Sequence, residues 1–348
     1  MHRRSEQAEK TMRALILGGT GTLSAAVARE ALAQGWDVTL LNRGNHPGLA
    51  PEGVHHLVAD VGDEAALTAI LASESFDVVA DFIAFVPSQI ERDLRLFRKR
   101  TGQFFFISSA SAYRKPPPAV RIVESAALAN PFWAYSRDKI ACEELLLNAW
   151  RREGFPATVV RPSHTYDERN LPLAVHGRKG AWQVIDRILK GKPVLIHGDG
   201  TSLWTLTHAS DFARGFVGLM GNPRAIGEAF HITSDEALGW NQIYAALGTA
   251  LGCKVATFHV ASDFLVAADP EFAGTLLGDK ANSLIFDNSK LRRLVPDFAA
   301  RISLDQGMRR CVDTLLADAS LQASDPDFDL FCDRVVASQQ KALEFLLG

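Results

Sequence analysis

The chain has 348 residues, of which 47% are hydrophobic and 22% are charged, and its formal net charge is −3. This composition excludes a disordered chain, a collagen-like chain and a small disulfide framework. The near-neutral charge gives no long-range attraction for nucleic acid or for an anionic membrane. No apolar run reaches the roughly 18 residues that a membrane-spanning helix needs. The length predicts two domains, or one large domain with an appended lobe.

Residues 1–11 are polar and lack the apolar core of a secretory signal, so we expect a flexible tail and a cytoplasmic protein. The four cysteines lie far apart and form no C-x-x-C pair; they are Cys142, Cys253, Cys311 and Cys332. This spacing favours buried thiols in a reducing compartment, with neither a disulfide nor a metal site.

The first half of the chain alternates between short apolar runs and longer segments of helical character. The apolar runs predict strands at 13–17, 37–42, 54–59, 76–82, 103–108 and 157–161. The intervening segments predict helices at 22–34, 63–72, 88–100 and 133–152. Strands that are apolar along their whole length suit a parallel sheet covered on both faces. The alternation therefore predicts an α/β fold with a Rossmann-type, doubly wound parallel sheet.

After Pro162 the loops lengthen and helices dominate, at about 178–190, 210–220, 240–251, 304–317 and 327–346. We interpret this part as a smaller, mostly helical lobe that binds the substrate at the carboxyl edge of the sheet. The predicted domains are residues 12–165, which would bind a dinucleotide, and residues 166–348, some segments of which return to the sheet.

A glycine-rich turn, Gly18-Gly-Thr-Gly-Thr-Leu-Ser24, separates the first predicted strand from the first predicted helix. A tight turn at this place needs glycine, and the helix beyond it offers unpaired backbone N–H groups to a pyrophosphate. Ser24 takes the third small position of the pattern, where a close contact between helix and strand is expected. The turn therefore predicts a dinucleotide site. Its residues are Gly18, Thr20, Gly21, Thr22 and Leu23.

The residue that ends the second strand usually distinguishes the two nicotinamide cofactors. NAD enzymes place a carboxylate there, about 20 residues after the glycines, to hold the ribose hydroxyls. Here the position is Asn42, followed by Arg43. An amide does not repel a 2′-phosphate and a guanidinium can bind one, so NADP is favoured over NAD.

Tyr135 and Lys139 lie about one helical turn apart near the start of the long helix, so they share one face. A nearby ammonium and a positive nicotinamide ring can lower the pKa of a tyrosine, which makes the pair a usable general base or acid. The fifth strand ends in serines, and a hydroxyl at this edge faces the crevice where cofactor and substrate meet. Such a hydroxyl can donate a hydrogen bond to a carbonyl or alkoxide oxygen.

The glycine turn, the strand-five serine and the helical Tyr-x-x-x-Lys pair, in this order, resemble the extended short-chain dehydrogenase/reductase superfamily and its NAD-dependent epimerase/dehydratase family. The resemblance covers nearly the whole chain from about residue 12. It implies that Ser109 is the catalytic serine, that Tyr135 is the base or acid, and that Lys139 binds the nicotinamide ribose and tunes Tyr135. It also implies cofactor contacts at Asp60, Val61, Phe82, Ile83, Ala84, Ser108, Tyr135, Lys139, Pro162 and Ser163.

Two departures from the family's pattern bear on the substrate. Ser109 is followed by Ala110 and Ser111, where the family's 4,6-dehydratases carry Asp-Glu, so dehydratase activity is disfavoured. The arginine that usually grips a nucleotide diphosphate aligns with Trp204, which puts a UDP-sugar substrate in doubt. Three basic residues could substitute for it, namely Arg169, Arg178 and Lys179. The candidate substrate residues are Ser111, Tyr113, His164, Arg178 and Trp204.

Three functions are compatible with the sequence. The first is an epimerase-like NAD(P)-dependent enzyme that acts on a sugar-like or nucleotide-sugar substrate, with Tyr135 as acid and base. The second is a net NADPH-dependent carbonyl reductase, which Arg43 favours because exchangeable NADPH suits net reduction. The third is a non-catalytic RNA-binding protein, because the chain also resembles an atypical branch that includes chloroplast stem-loop RNA-binding proteins.

A basic cluster on the helix predicted at 88–100 could form a phosphate-binding patch for RNA. It consists of Arg92, Arg95, Arg98, Lys99 and Arg100. The interleaved Glu91 and Asp93 and the intact catalytic set disfavour this function, so we expect no nucleic-acid partner. Many relatives dimerise through the Tyr-x-x-x-Lys helix and the helix before strand five. The dense charge of the latter helix leaves a homodimer open.

Overall fold

The computed structural model describes residues 11–348 and contains fifteen strands and eleven α-helices in this range. The strands are β1 (Arg13–Leu17), β2 (Asp37–Asn42), β3 (His55–Val58), β4 (Phe76–Asp81), β5 (Thr101–Ile107), β6 (Arg121–Ile122), β7 (Ala157–Arg161), β8 (His164–Tyr166), β9 (Val194–His197), β10 (Leu203–Trp204), β11 (Leu206–His208), β12 (Ala229–His231), β13 (Leu238–Gly239), β14 (Thr257–Val260) and β15 (Ile285–Phe286). The helices are α1 (Thr22–Ala33), α2 (Glu64–Ile70), α3 (Pro87–Phe97), α4 (Ala134–Glu153), α5 (Trp182–Leu189), α6 (Ala209–Leu219), α7 (Trp240–Leu251), α8 (Ser262–Ala268), α9 (Ser289–Leu294), α10 (Leu304–Ala317) and α11 (Pro326–Leu347). One further helix, Ala273–Lys280, has π-type geometry and is called the π-helix below.

Seven of the strands form one parallel sheet, in the order β12-β7-β5-β4-β1-β2-β3. The register pairs Ala14 of β1 with Val38 of β2 on one side and with Val78 of β4 on the other. The inner strands are buried along most of their length, so helices must cover both faces. The architecture is the Rossmann-type α/β fold that the sequence predicts.

Two helix layers cover the sheet. In one layer α1 packs against α6, and the core between them and the sheet includes Val27, Phe212 and Phe216. In the other layer α3 packs against α4, and its core includes Cys142 and Leu146. Because all seven strands are parallel, their carboxyl ends meet at one edge, which is where ligands bind in such sheets.

Much of the second half of the chain builds a lobe with its own core, which includes Trp204, Trp240 and Tyr244. Strands pair there only in twos, namely β9 with β14, β8 with β11, β10 with β13 and β6 with β15. The predicted helices are present as α5, α6, α7, α10 and α11. The short strands, α8, α9 and the π-helix were not predicted, because segments of this length or geometry show no readable period.

The lobe and the sheet interleave along the chain. β12 lies beside β7 in the main sheet and α6 packs on α1, although both elements follow residue 166. Of the predicted tail, residues 1–10 lie outside the described residues. Within residues 11–348, none of the helices combines the length and the apolar character that a membrane crossing requires.

Three of the four cysteines are buried free thiols, as expected, and Cys253 is the exception. It is exposed because it follows the left-handed Gly252, which ends α7 at the surface. The expectation of four buried thiols was therefore wrong at this one position.

Candidate active site

The glycine turn adopts backbone conformations that only glycine takes readily. Gly18 has a φ of 106° and Gly19 a φ of 90°. The N–H of Gly18 donates to the carbonyl of Leu41 at 2.9 Å, which ties the turn to the end of β2. A methyl group at Gly19 would lie 2.7 Å from the Leu40 side chain, so the turn and β2 touch closely.

The N-terminus of α1 is open to a ligand. Its N-cap, Gly21, is exposed and provides no side-chain cap. The Gly21 N–H donates to the Ser24 hydroxyl at 3.1 Å, so Ser24 shapes the turn as well as filling a small position. The N–H groups of Thr22 and Leu23 have no hydrogen-bond partner among the described residues. An uncapped helix start with free donors fits the pyrophosphate of a dinucleotide.

Asn42 and Arg43 have different roles at the end of β2. The Asn42 amide donates to the Gly18 carbonyl at 3.0 Å and accepts from the Gly44 N–H at 2.8 Å. Asn42 therefore holds the glycine turn in place. Arg43 is exposed and forms no hydrogen bond or ion pair with another described residue, so its guanidinium is free to meet a 2′-phosphate.

The other predicted cofactor residues follow the ends of β3 and β4. The Asp60 carboxylate accepts from the Gly62 N–H at 2.8 Å. The buried Asp81 carboxylate accepts from the N–H groups of Ile83 and Ala84 at 2.6 and 2.9 Å. This places the segment that begins at Phe82 along the carboxyl edge of the sheet. Contacts of Asp60, Val61 and Phe82–Ala84 with a cofactor stay predictions.

The predicted catalytic serine and tyrosine lie together beyond β5. Both side chains line one cavity, and the Ser109 hydroxyl is near enough to lower the pKa of the Tyr135 phenol. The Ser109 hydroxyl is also 2.8 Å from the Ser111 hydroxyl, which in turn lies 2.7 Å from the hydroxyl of Ser136. Ser111 and Ser136 are buried, so this chain of hydroxyls fixes Ser109 against α4.

Burial is the main cause of the pKa shifts of Tyr135 and Lys139. It raises the pKa of Tyr135 to about 12, although the nearby Ser109 hydroxyl acts in the opposite direction. Burial also lowers the pKa of Lys139 to about 8. The Lys139 ammonium donates to the carbonyls of Ala84 and Ile107, both at 2.7 Å.

The Lys139 ammonium is directed at two main-chain carbonyls and sits 5.6 Å from the centre of the Tyr135 ring, so burial is the main influence on the pKa of the phenol in this structure. The expectation that Lys139, together with a nicotinamide ring, lowers that pKa stays a prediction.

A cavity of about 240 Å³ opens beside the pair. It is lined by Ser109, Ala110, Ser111, Trp133, Tyr135, Pro162, Ser163, His164, Thr165, Trp204, Asp279 and Lys280. The cavity thus brings together the predicted catalytic residues Ser109 and Tyr135 and three of the candidate substrate residues, Ser111, His164 and Trp204. Burial lowers the pKa of His164 well below its ordinary value, so its imidazole is neutral.

Two candidates lie in a buried network away from this cavity. The Ser108 hydroxyl donates to the Glu143 carboxylate, so it does not face the cofactor edge. The Tyr113 hydroxyl accepts from the Arg161 guanidinium at 2.8 Å and also bonds to the His231 ring. Tyr113 is a buried structural residue, because its only polar atom is used inside the protein.

The basic residues that could replace the diphosphate-binding arginine also lie away from the cavity at Tyr135. Arg178 pairs with Glu271 at 2.6 Å, and the Lys179 ammonium donates to the Ser324 carbonyl at 3.1 Å. Both line an outer cavity of about 690 Å³, whereas Arg169 lies near the N-terminus of α1. Neither arginine nor Lys179 lines the cavity at Tyr135.

The basic cluster on α3 does not form a free phosphate-binding patch. Arg92 is buried against Asp93, Arg95 pairs with Glu64, and Arg98 pairs with Glu153. Arg100 donates to the carbonyl of Leu71. Four of the five cations thus have a partner within the protein, and the expectation that this cluster binds no RNA stays a prediction.

Sequence reasoning missed Asp279 and Lys280, which close the π-helix and line the cavity. It also missed Trp133, whose ring centre lies 4.9 Å from that of Tyr135. A weak signal exists in the sequence, because Gly274 and Gly278 recur four residues apart. A methyl group at Gly274 would lie 2.4 Å from the Trp133 ring, so the glycines let the π-helix approach the active site.

A dinucleotide-binding turn and a serine–tyrosine–lysine set at one edge of a parallel sheet define a class of NAD-dependent enzymes built on the Rossmann fold. The chain belongs to the NAD-dependent epimerase/dehydratase family, whose model matches residues 14–233.

Known proteins similar to this chain include both enzymes and a binding protein. It is 29% identical over 296 residues to the 2′-dehydrokanamycin reductase of Streptomyces kanamyceticus, a match that covers 84% of this chain and 82% of that protein. It is 26% identical over 251 residues to a chloroplast stem-loop binding protein of Arabidopsis thaliana, covering 68% of this chain and 63% of that protein.

Among solved structures, an epimerase from Methanothermobacter thermautotrophicus superposes with a TM-score of 0.73 at 16% identity, covering 90% of this chain and 94% of that one. At this identity the likeness shows the fold alone.

Proposed function

We propose that the protein is an NADPH-dependent reductase of a ring carbonyl in a sugar-like substrate, with Tyr135 as the proton donor. The observation that carries this proposal is that Ser109 and Tyr135 line one small cavity at the carboxyl edge of the sheet. Hydride is what a nicotinamide cofactor supplies when it is bound.

The side chains around the cavity have complementary roles in this reaction. Tyr135 is neutral at physiological pH because burial raises its pKa to about 12, so it donates a proton to a carbonyl oxygen. Ser109, held by Ser111 and Ser136, orients that oxygen. Lys139 uses two of its three protons on main-chain carbonyls, which leaves one for a ribose hydroxyl.

Two observations support net reduction with NADPH. The exposed and unpaired Arg43 is suited to a 2′-phosphate. The relative from Streptomyces kanamyceticus is by its name a reductase of a sugar-ring ketone, and it matches most of both chains. A protonated Tyr135 agrees with this direction, because oxidation of an alcohol needs the phenolate instead.

Epimerisation is the second candidate, because several relatives are UDP-glucose epimerases by name, among them a protein of Lactobacillus helveticus that is 25% identical over 169 residues. The same residues would serve it, with Tyr135 acting in turn as base and acid. Dehydratase activity is not part of the proposal, since Ala110 and Ser111 supply no carboxyl group after Ser109.

The test is turnover of NADPH with 2′-dehydrokanamycin, followed at 340 nm, in wild type and in Tyr135→Phe. We expect the variant to lose about a thousandfold in kcat, since general acid catalysis typically contributes 10²–10⁴. The affinity for NADPH should stay unchanged. Tyr244→Phe is the matched control, because that phenol is buried on the Leu195 carbonyl in the lobe.

A Tyr135→Phe variant that keeps the wild-type rate would refute the assignment of the proton donor. The stoichiometry of the reaction separates the two candidates. Net reduction consumes one NADPH per product, whereas an epimerase interconverts two alcohols with no net consumption.

A further inference from the structure

A carboxylate and two ammonium groups lie buried beside the active site without a hydrogen bond joining the carboxylate to either ammonium. The Asp279 carboxylate is 3.7 Å from the Lys280 ammonium and 4.0 Å from the Lys115 ammonium. Asp279 and Lys280 line the cavity at Tyr135, and Lys115 lies behind the Trp204 ring, 5.7 Å from its centre. We call these four residues the open cluster.

Folding alone does not explain this arrangement. One oxygen of Asp279, the Lys115 ammonium and the Trp204 N–H are buried and have no hydrogen-bond partner among the described residues. Charged and polar groups in such a position cost free energy unless a partner satisfies them. A ligand in the cavity can reach this cluster through Asp279, Lys280 and Trp204, which line it, whereas Lys115 lies outside the lining.

The open cluster is held rigidly against the catalytic serines. The Asn130 amide donates to the Ser111 carbonyl at 2.8 Å and to the Gly278 carbonyl at 2.7 Å, which ties the end of the π-helix to the active site. Asp279 is also close enough to raise the pKa of Tyr135. A group that binds Asp279 therefore sits next to the reacting carbon.

A hydroxyl is the chemical group that fits this pair. It donates one hydrogen bond and accepts others, so one oxygen can satisfy a carboxylate and an ammonium together. An ammonium on the ligand would meet Asp279 but face two lysines. A diphosphate would meet Lys280 but face the carboxylate. Among the described residues that line this cavity, Asp279 and Lys280 are the charged ones, and their charges cancel.

The size of the cavity also favours a ligand without a diphosphate. Its volume of about 240 Å³ is below the roughly 300–1,000 Å³ of pockets for drug-sized ligands. It accommodates a single ring rather than a nucleotide diphosphate sugar.

Given the proposed reductase function, we propose that Asp279 and Lys280 select a phosphate-free sugar or cyclitol by binding a hydroxyl next to its reacting carbon. The hydroxyl donates to the Asp279 carboxylate and accepts from the Lys280 ammonium. Lys115 is a positioning residue, which holds Asp279 toward the cavity from behind.

The experiment is calorimetric titration of the protein saturated with NADP⁺. The probes are methyl α-D-glucopyranoside, myo-inositol and UDP-glucose. We expect at least one of the two phosphate-free probes to bind wild type at least tenfold more tightly than UDP-glucose. Asp279→Asn and Lys280→Met should each weaken its binding about tenfold without changing the affinity for NADP⁺. Asp263→Asn, an exposed carboxylate on α8, is the control.

Lys280→Met keeps the test decisive if Asp279→Asn does not fold. Tighter binding of UDP-glucose than of either phosphate-free probe would overturn the proposal, and so would the absence of binding by both phosphate-free probes. The reductase proposal fails separately. Tyr135→Phe should still bind the phosphate-free probe, so loss of turnover without loss of this binding supports the reductase proposal. Weaker binding of the probe by Asp279→Asn, with the affinity for NADP⁺ unchanged, supports the proposed selection of the substrate.

Discussion

Two buried polar clusters flank the predicted catalytic serine, Ser109, and they differ in how their charges are satisfied. The first, which we call the paired cluster, consists of Ser108, Tyr113, Glu143, Arg161 and His231. In it the Arg161 guanidinium donates to both Glu143 oxygens, the shortest contact being 2.6 Å, and to the Tyr113 hydroxyl. In the open cluster the carboxylate and the ammonium groups are 3.7 to 4.0 Å apart and key atoms lack partners.

The difference separates a structural role from a binding role. Both clusters are buried and both contain residues with chemical potential, so residue type and burial alone do not tell them apart. Their hydrogen bonding distinguishes the two clusters. A cluster that satisfies its own donors and acceptors has nothing left for a ligand, whereas an unsatisfied cluster has lost solvation without recovering it. Tyr113 was a candidate substrate residue from its position in the sequence, and its full set of partners now marks it as structural.

The largest expected effect is the loss of stability when the paired cluster is broken. Glu143→Gln removes the charge that Arg161 is bonded to and leaves a buried guanidinium without its counter-ion. We expect the free energy of unfolding to fall by about 3–5 kcal/mol, the usual result of removing one partner of a buried ion pair. Denaturant unfolding followed by circular dichroism measures it. Glu144→Gln, the exposed neighbour on α4, is the control, and equal stability of the two variants would contradict the structural role.

Replacing a charged residue of the open cluster should instead raise the free energy of unfolding. Burial lowers the pKa of Lys115 to about 8, so the folded protein holds this proton less tightly than the unfolded chain. Lys115→Met should therefore raise the free energy of unfolding at pH 7 by about 1–3 kcal/mol, because the lowered pKa means that burial of this charge opposes folding. Its KM for the substrate should rise, because Asp279 loses its support.

The pH dependence checks the cause. Below about pH 8 both states of wild type carry the proton and the full cost of burial applies. Between pH 8 and 10.5 only the unfolded state keeps it, so wild-type stability rises toward that of Lys115→Met. A gap between the two proteins that stays constant from pH 7 to pH 10 would show that the ammonium is not the source.

The smallest effect concerns an unpaired cation at the surface. Arg43 is exposed, so its charge costs nothing in folding and is available to the cofactor. Arg43→Ala should weaken NADPH binding about tenfold and leave NADH binding within about twofold, since a charge-assisted bond at a solvated site contributes modestly. Fluorescence titration measures both constants, with the exposed Arg151→Ala as control. Equal loss for both cofactors would remove the basis for preferring NADP.

The sequence predicted the sheet well because its strands are marked by uninterrupted apolar runs. β1, β2 and β7 have the predicted bounds, and β3, β4 and β5 differ from the predicted bounds by one or two residues at one or both ends. β12 was missed because three residues after a turn carry no such signal, and parallel pairing with β7 comes from the tertiary fold.

The residues of the candidate site also differ in whether the sequence could predict them. Ser109, Tyr135 and the glycine turn were predicted because each lies at a fixed place in a strand–turn–helix unit. Asp279 and Lys280 were not, because they reach the cavity through a π-helix that packs on Trp133, a contact between segments about 140 residues apart. Whether a polar residue is satisfied is also invisible to the sequence, as Ser108 and Lys115 illustrate.

The interleaving of sheet and lobe constrains how substrate enters. The polypeptide leaves the sheet after β7, returns to it through α6 and β12, and leaves again toward α7. Because the chain crosses between sheet and lobe several times, a single hinge cannot separate the two halves. The wall nearest Tyr135 is fixed as well, because Asn130 donates to the Ser111 carbonyl and to the Gly278 carbonyl of the helix that carries Asp279, so a substrate enters a site whose shape is already set.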